Sequence, residues 1–313
     1  MEFTVVFQSI TLIAMLIFIG AMLSKTFPMN QDTRQMFISL IVNIAMPSII
    51  LSSIFNVKIT KDSFKLIVIV FILSIVINIG GIALGGLFTR IFYPKSTKKV
   101  EVAILSGLGN TGYIGIPLCA VLIGPEGALF AAIFDAGVDF TLWTVGVFLL
   151  QKEKKLTLNM FKSMINVPML AIVFGLIAAY FGYRPPIIFV ELIDRLAGLA
   201  VPMAMFYIGA TVMTLQRSKV NQSSTKMWIP ISVKLFILPI VLAVMINFVH
   251  LEKFVVQTVI IQSMMPTLAL SSILFAKYSG DEDMGAVTTV VSTIAALMTI
   301  PFMIYLIDLF FAF

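Results

Sequence analysis

Apolar residues run along this chain in stretches of about twenty, parted by short polar intervals. A helix of about twenty apolar residues crosses roughly 30 Å of hydrocarbon. Ten such stretches are legible, near 4–24, 34–54, 64–88, 102–123, 127–150, 164–182, 190–215, 229–249, 255–276 and 285–309. They are continuously apolar, whereas the strands of a membrane barrel alternate. The pattern therefore predicts an all-α polytopic membrane protein with ten transmembrane helices. The longest polar intervals, near 151–162 and 216–227, are too short for a soluble catalytic or regulatory domain. That argues against an enzyme and against a multi-domain receptor.

The fourth stretch breaks its own pattern. Gly109-Asn110-Thr111-Gly112-Tyr113-Ile114-Gly115-Ile116-Pro117-Leu118 places three glycines, a proline, an amide and a hydroxyl inside an apolar run. Such a composition interrupts a helix, and the freed backbone groups survive in a bilayer only buried in protein or lining a cavity. Interrupted helices at membrane depth are a common way to build a transporter's substrate site.

The interruption has a counterpart. Asn43-Ile44-Ala45-Met46-Pro47-Ser48 resembles Gly198-Leu199-Ala200-Val201-Pro202-Met203, at an offset of 155. The same offset carries Thr111 onto Pro266, within Gln262-Ser263-Met264-Met265-Pro266-Thr267. Residues 1–150 and 163–313 thus read as two five-helix repeats joined by the short segment 151–162. Five is odd, so the repeats are expected to be inverted.

Composition refines this picture. The chain has 313 residues, 60% of them hydrophobic and 12% charged. With the N-terminus outside, the cytoplasmic loops hold fourteen basic residues: Lys25, Arg34, Arg90, Lys95, Lys98, Lys99, Lys152, Lys154, Lys155, Lys162, Arg217, Lys219, Lys226 and Lys277. The opposite side holds six: Lys58, Lys61, Lys65, Arg184, Arg195 and Lys253. This asymmetry predicts both termini extracytoplasmic, in the cell membrane. The net charge of +6 is thereby an orientation signal, and no nucleic-acid partner is expected. Met1-Glu2-Phe3 brings no basic stretch ahead of the first apolar run, which is expected to stay as a span. Cys119 is the single cysteine and His250 the single histidine, so no metal site and no cofactor are expected.

These residues resemble the auxin efflux carrier family, bacterial relatives of the plant auxin transporters. The resemblance rests on Gly109 to Gly112 with Ile116-Pro117-Leu118, on Pro47, and on Asn166 with Pro168. Val201-Pro202 with Gly209, and Met265-Pro266-Thr267 followed by Ala276-Lys277-Tyr278, complete it. Departures are the order Asn166-Val167-Pro168, Lys234 where relatives often carry arginine, and the lack of a long central insert. The resemblance implies unwound helices 4 and 9 that cross near the membrane centre. Helices 1, 2, 6 and 7 would form a scaffold, often a homodimer, and helices 3–5 and 8–10 would move against it like an elevator. It also implies secondary transport of small organic anions such as malate or malonate.

The residues support an anion site at that crossover. Half-helix N-termini offer partial positive charge to a carboxylate. Asn110 and Thr111 supply donors, and Gly109 and Gly112 admit close approach. From span nine come Pro266 and Thr267. Asp135 and Asp139 lie four residues apart, hence on one helix face. Carboxylates at membrane depth are costly when ionised, which makes them a candidate proton or sodium coupling site, or a structural pair with Lys234. Lys234 itself could attract the anion. Glu191, Asp194 and Arg195 read as a solvated span end, and Asp281, Glu282 and Asp283 as a solvated loop. Gly80-Gly81 and Gly85-Gly86 read as close-packing positions.

The leading reading is a secondary transporter, by efflux or exchange, of a small organic anion such as a malate-, malonate- or auxin-like mono- or dicarboxylate. A sodium/proton exchanger using Asp135 and Asp139 is the alternative, and a membrane sensor on a transporter fold is a third.

Overall fold

The computed structural model describes residues 3–27, 29–57, 59–151, 162, 164–213, 226–246 and 251–311. Among them all regular structure is helical, apart from one isolated backbone bridge between Gly109 and Thr267. In chain order the helices are α1 (Phe3–Leu23), α2 (Asp32–Asn56), α3 (Lys61–Phe92), α4 (Lys99–Gly107), α5 (Thr111–Leu122) and α6 (Pro125–Leu150). There follow α7 (Val167–Tyr180), α8 (Ile187–Met213), α9 (Lys226–Ile246), α10 (Lys253–Ser263), α11 (Ser271–Lys277) and α12 (Glu282–Phe311). Among the described residues α2, α3, α6, α8, α9 and α12 are the six helices long and apolar enough to cross a membrane. The all-helical membrane character expected from hydropathy stands. Lys58, Lys152, Lys154, Lys155, Arg217, Lys219 and His250 lie outside the described residues.

Several helices begin ahead of the apolar stretches that announce them. The third stretch, expected over 64–88, is helical over Lys61–Phe92. Its start is fixed by a capping box: Thr60 Oγ1 accepts from the Ser63 N–H at 3.3 Å, and the Thr60 N–H donates to Ser63 Oγ at 3.1 Å. Hydropathy sees the apolar centre of a helix and misses caps of this kind.

Prolines reshape several helices without ending them. Wide, π-type turns over Ile41–Ala45, Thr111–Gly115 and Val233–Ile237 each finish two residues before Pro47, Pro117 and Pro239. A proline cannot donate to the carbonyl one turn back and collides with it, and a widened turn relieves that conflict. In α8 the strain falls at Gly198–Leu199, ahead of Pro202, where the helix loosens into a turn.

Packing sorts the helices into two groups. α1 lies along the second half of α8, and α2 packs on α7 and on the first half of α8. At Gly209 a β-carbon would come within 1.9 Å of the Ile17 carbonyl oxygen, so the α1–α8 contact is backbone on backbone. Small residues at helix contacts serve this purpose in membranes, where dispersion replaces the hydrophobic effect between helices. The second group centres on α3, which packs on α4 and α6, while α5 and α10 pack on α6 and α11 packs on α12. Gly81 and Gly85 face Gly107 and Ser106 at close range, as expected, whereas Gly80 has no neighbour within 4 Å of its Cβ position.

Two groups of acidic residues make contacts that their sequence reading does not supply. Glu282 and Asp283 form the first turn of α12, and Asp281 caps it by accepting from the Met284 N–H at 2.9 Å. Asp281 also pairs with Lys98, at the start of α4. Its partial burial opposes ionisation, but the Lys98 bond and the Met284 N–H outweigh that and hold the carboxyl below its usual range. Asp194 is exposed, as expected of a solvated span end, and also accepts from Ser52 Oγ at 2.6 Å and from Asn56 Nδ2 at 3.2 Å. It thereby ties α8 to α2.

Candidate functional site at the helix crossing

The two interrupted helices meet. Between α4 and α5 the chain is non-helical over 108–110, extended at Leu108, and between α10 and α11 it is non-helical over 264–270. The Asn110 N–H donates to the Pro266 carbonyl at 2.7 Å, and the Leu268 N–H donates to the Leu108 carbonyl at 3.1 Å. Gly109 and Thr267 face each other across this antiparallel rung. Each break thus satisfies part of the backbone the other exposes, which is what hydrocarbon surroundings demand. Gly109, Asn110, Thr111, Gly112, Pro266 and Thr267 are brought together as the repeat predicts.

The two sides of the rung differ in what they leave open. Thr267 is fully buried and engaged: its N–H donates to Ser292 Oγ at 3.1 Å, and its hydroxyl lies 3.0 Å from the same oxygen. Thr289 of α12 adds a bond to the Leu268 carbonyl at 3.0 Å. The hydroxyls of α12 therefore clamp the second break. On the first break the Asn110 carboxamide has no hydrogen-bond partner among the described residues, though the residue is 6% exposed. The N–H groups of Thr111, Gly112 and Tyr113, at the start of α5, likewise meet no acceptor among them. These are the orphan donors of a helix N-terminus.

Charged side chains flank the first break. Lys234 of α9 is fully buried, and its Nζ donates to the Gly107 carbonyl at 3.1 Å. That carbonyl ends α4, where the helix dipole is negative and carries unpaired acceptors. A β-carbon on Gly109 would lie 2.7 Å from Lys234 Cε, so the glycine makes room for the lysine. On the other flank the Thr111 hydroxyl donates to Asp135. Gly112 abuts the same carboxylate, 2.9 Å from its Cβ position to Asp135 Oδ2. Asp139, one turn further along α6, accepts from Asn166 Nδ2 at 2.8 Å.

The structural pairing of Asp135 or Asp139 with Lys234, one of the sequence readings, does not occur. Lys234 approaches the break from the Gly107 side and the carboxylates approach it from the Thr111 side, and no ion pair joins them among the described residues. One-dimensional reasoning could place all three near membrane depth but could not tell which flank each occupies.

Sequence reasoning also missed several contributors. Gln262 is fully buried in the last turn of α10. Its Nε2 donates to the Ala131 carbonyl at 3.2 Å, and its Oε1 finds no partner among the described residues. Thr289 and Ser292 are the others. The hydroxyl cluster Thr288-Thr289-Val290-Val291-Ser292-Thr293 inside an apolar span was the available signal. A separate cavity between α1, α5, α8 and α12 is lined by Ile13, Ile17, Ile114, Met205 and Ile300 among others. Its almost wholly apolar wall has nothing to hold a carboxylate.

Comparison with known proteins finds relatives over nearly the whole chain. The profile of the family described as Membrane transport protein matches residues 5–304. An uncharacterized transporter of Methanocaldococcus jannaschii is 25% identical over 306 residues, covering 94% of this chain and 96% of the relative. An uncharacterized transporter of Methanothermobacter thermautotrophicus is 22% identical, with the same coverage of 94% and 96%. A Rhizobium meliloti protein that carries the provisional name of malonate transporter is 24% identical over 207 residues, or 64% of each chain.

Proposed function

The chain belongs to the membrane transport protein family of auxin efflux carriers, and from that premise we propose that it carries a small organic anion by secondary transport. The chain is a multi-pass membrane transporter. The finer reading is a mono- or dicarboxylate of the malonate class, bound at the crossing of the two interrupted helices. The observation that carries it is the set of donors on the first break that meet no acceptor among the described residues, together with the buried Lys234 amine on the Gly107 flank. Free N–H groups at a helix start, an unpartnered amide and a buried lysine that an anion would hold protonated together suit a carboxylate. The name of the Rhizobium relative points to the same class.

In this reading the ten spans form two inverted five-helix repeats, with α4/α5 and α10/α11 as the crossing helices 4 and 9. The scaffold comprises α1, α2, α7 and α8, through which two copies dimerise. The transport group comprises α3–α6 and α9–α12, and both termini are extracytoplasmic. The two packing groups support this division, because each helix contacts its own group most closely. Asp135 supplies the coupling. An anion beside Asn110 and an ionised Asp135 repel each other, so binding the anion favours a proton on the carboxylate. Loading substrate then loads a proton.

The test is uptake of labelled malonate by proteoliposomes, driven by an inward proton gradient. Uptake that Asn110→Ala reduces at least tenfold supports the reading. Uptake indifferent to Asn110 overturns the site. The Asp135/Asp139 pair also admits a sodium/proton exchanger, which sodium-dependent proton flux without any organic solute would favour.

A further inference from the structure

We propose that Asn166 is a latch: through Asp139 it holds the transport group docked on the scaffold, and movement requires that contact to open. The inference rests on the elevator reading above and adds a positioning residue to it.

Asn166 precedes α7 and is committed at both ends of its carboxamide. Its Oδ1 accepts from the Met169 N–H at 2.8 Å, capping α7, and its Nδ2 donates to Asp139 Oδ2 at 2.8 Å. The cap fixes the orientation of the amide, so that only its N–H face is presented to α6. Asp139 is the far member of a short polar row. The Thr111 hydroxyl bonds to Asp135, Asp139 follows one turn later on the same face of α6, and Asn166 bonds to Asp139. The row runs from the break that holds the open donors to the first turn of a scaffold helix.

The surroundings make this contact directional. Elsewhere α5 meets α8 through the stacked rings of Tyr113 and Tyr207, with centroids 6.4 Å apart. The nearby cavity between α1, α5, α8 and α12 is apolar. Rings and aliphatic side chains can slide past one another with little change in energy. A carboxylate hydrogen-bonded to an amide has a preferred position, and leaving it strands both partners. A sliding interface that holds such a contact has a defined resting place. Because Asp135 lies one turn away, a change in its charge alters how firmly Asp139 is held.

The experiment reads movement and binding separately. Fluorophores on Lys95→Cys, in the exposed connection between α3 and α4, and Tyr183→Cys, ahead of α8, report the two groups relative to each other. Cys119 is buried, which leaves the introduced thiols to react. Single-molecule energy transfer in nanodiscs then gives the frequency of excursions without substrate, and calorimetry gives the malonate Kd. Asn166→Ser keeps the helix cap but is too short to reach Asp139. It is expected to raise excursion frequency about tenfold while the Kd stays within about twofold of wild type. Asn166→Asp keeps the cap and sets one carboxylate against another, and is expected to exceed the serine variant. Excursions as rare in both variants as in wild type, or absent in all three proteins, overturn the latch. A wild-type protein that makes excursions but binds no malonate overturns the substrate reading and leaves the latch judged by the excursions alone.

Discussion

The two breaks in the crossing helices share one rung of backbone hydrogen bonds, yet they are finished in opposite ways. The break at 264–270 is closed off by hydroxyls: Ser292 and Thr289 engage the N–H and side chain of Thr267 and the carbonyl of Leu268. The break at 108–110 has no such clamp. It leaves the Asn110 amide and the first N–H groups of α5 open, and it is flanked by Lys234 and Asp135. Satisfied polar groups at membrane depth contribute rigidity, whereas open ones are costly and persist where a ligand meets them. In the proposed function, the clamped break serves architecture and the open one recognition.

The comparison breaks most readily at Lys234. Replacing it with Met is expected to weaken malonate binding about 100-fold, the scale of about 3 kcal/mol for a buried charge-assisted hydrogen bond. Calorimetry on purified protein measures this, and a Kd within threefold of wild type would remove Lys234 from recognition. Gly109→Ala should reproduce most of that loss, because its methyl would displace Lys234 Cε from a 2.7 Å position. Retained affinity in that variant would show that the lysine can bind from elsewhere.

The central contrast is between Asn110→Ala and Thr267→Val. The first is expected to cost about tenfold in Kd, or about 1.4 kcal/mol, with little change in Tm, since no protein partner loses a bond. The second removes the hydroxyl–hydroxyl bond to Ser292, which keeps the Thr267 N–H and the Thr289 carbonyl, and is expected to destabilise the fold by about 1 kcal/mol, with Kd within about threefold. Thermal unfolding and calorimetry on the same samples decide it. Interchanged outcomes would reverse the roles of the two breaks.

The smallest effect belongs to the Lys98–Asp281 strap, which joins the start of α4 to the start of α12. Lys98 is 40% exposed, so solvent screening limits the pair to about 0.5 kcal/mol. The Asp281 carboxyl lies below its usual range, so its contribution is present above the unfolded-state value and is lost as pH falls through the folded one. The Tm difference between wild type and Lys98→Ala should therefore be present at pH 7 and disappear in strong acid. A difference that persists there would assign the effect to packing.

Much of this protein was legible in one dimension because a bilayer is an exacting solvent. Hydrocarbon requires long apolar helices, and any polar interruption must be partnered, so Gly109–Leu118 and Met265-Pro266-Thr267 stood out against their surroundings. The offset of 155 between them carried the prediction that they meet. The sequence by itself thus determined the membrane class, the family, the position of both breaks and the identity of the residues beside them. It could not assign partners, because a hydrogen bond depends on which helix faces pack together and on which flank a side chain arrives. Lys234 against Gly107, Asp135 against Thr111, Asp139 against Asn166, and Ser292 against Thr267 join residues from 24 to 127 positions apart. Only the tertiary structure decided those pairings, and with them which of two similar breaks keeps its donors free.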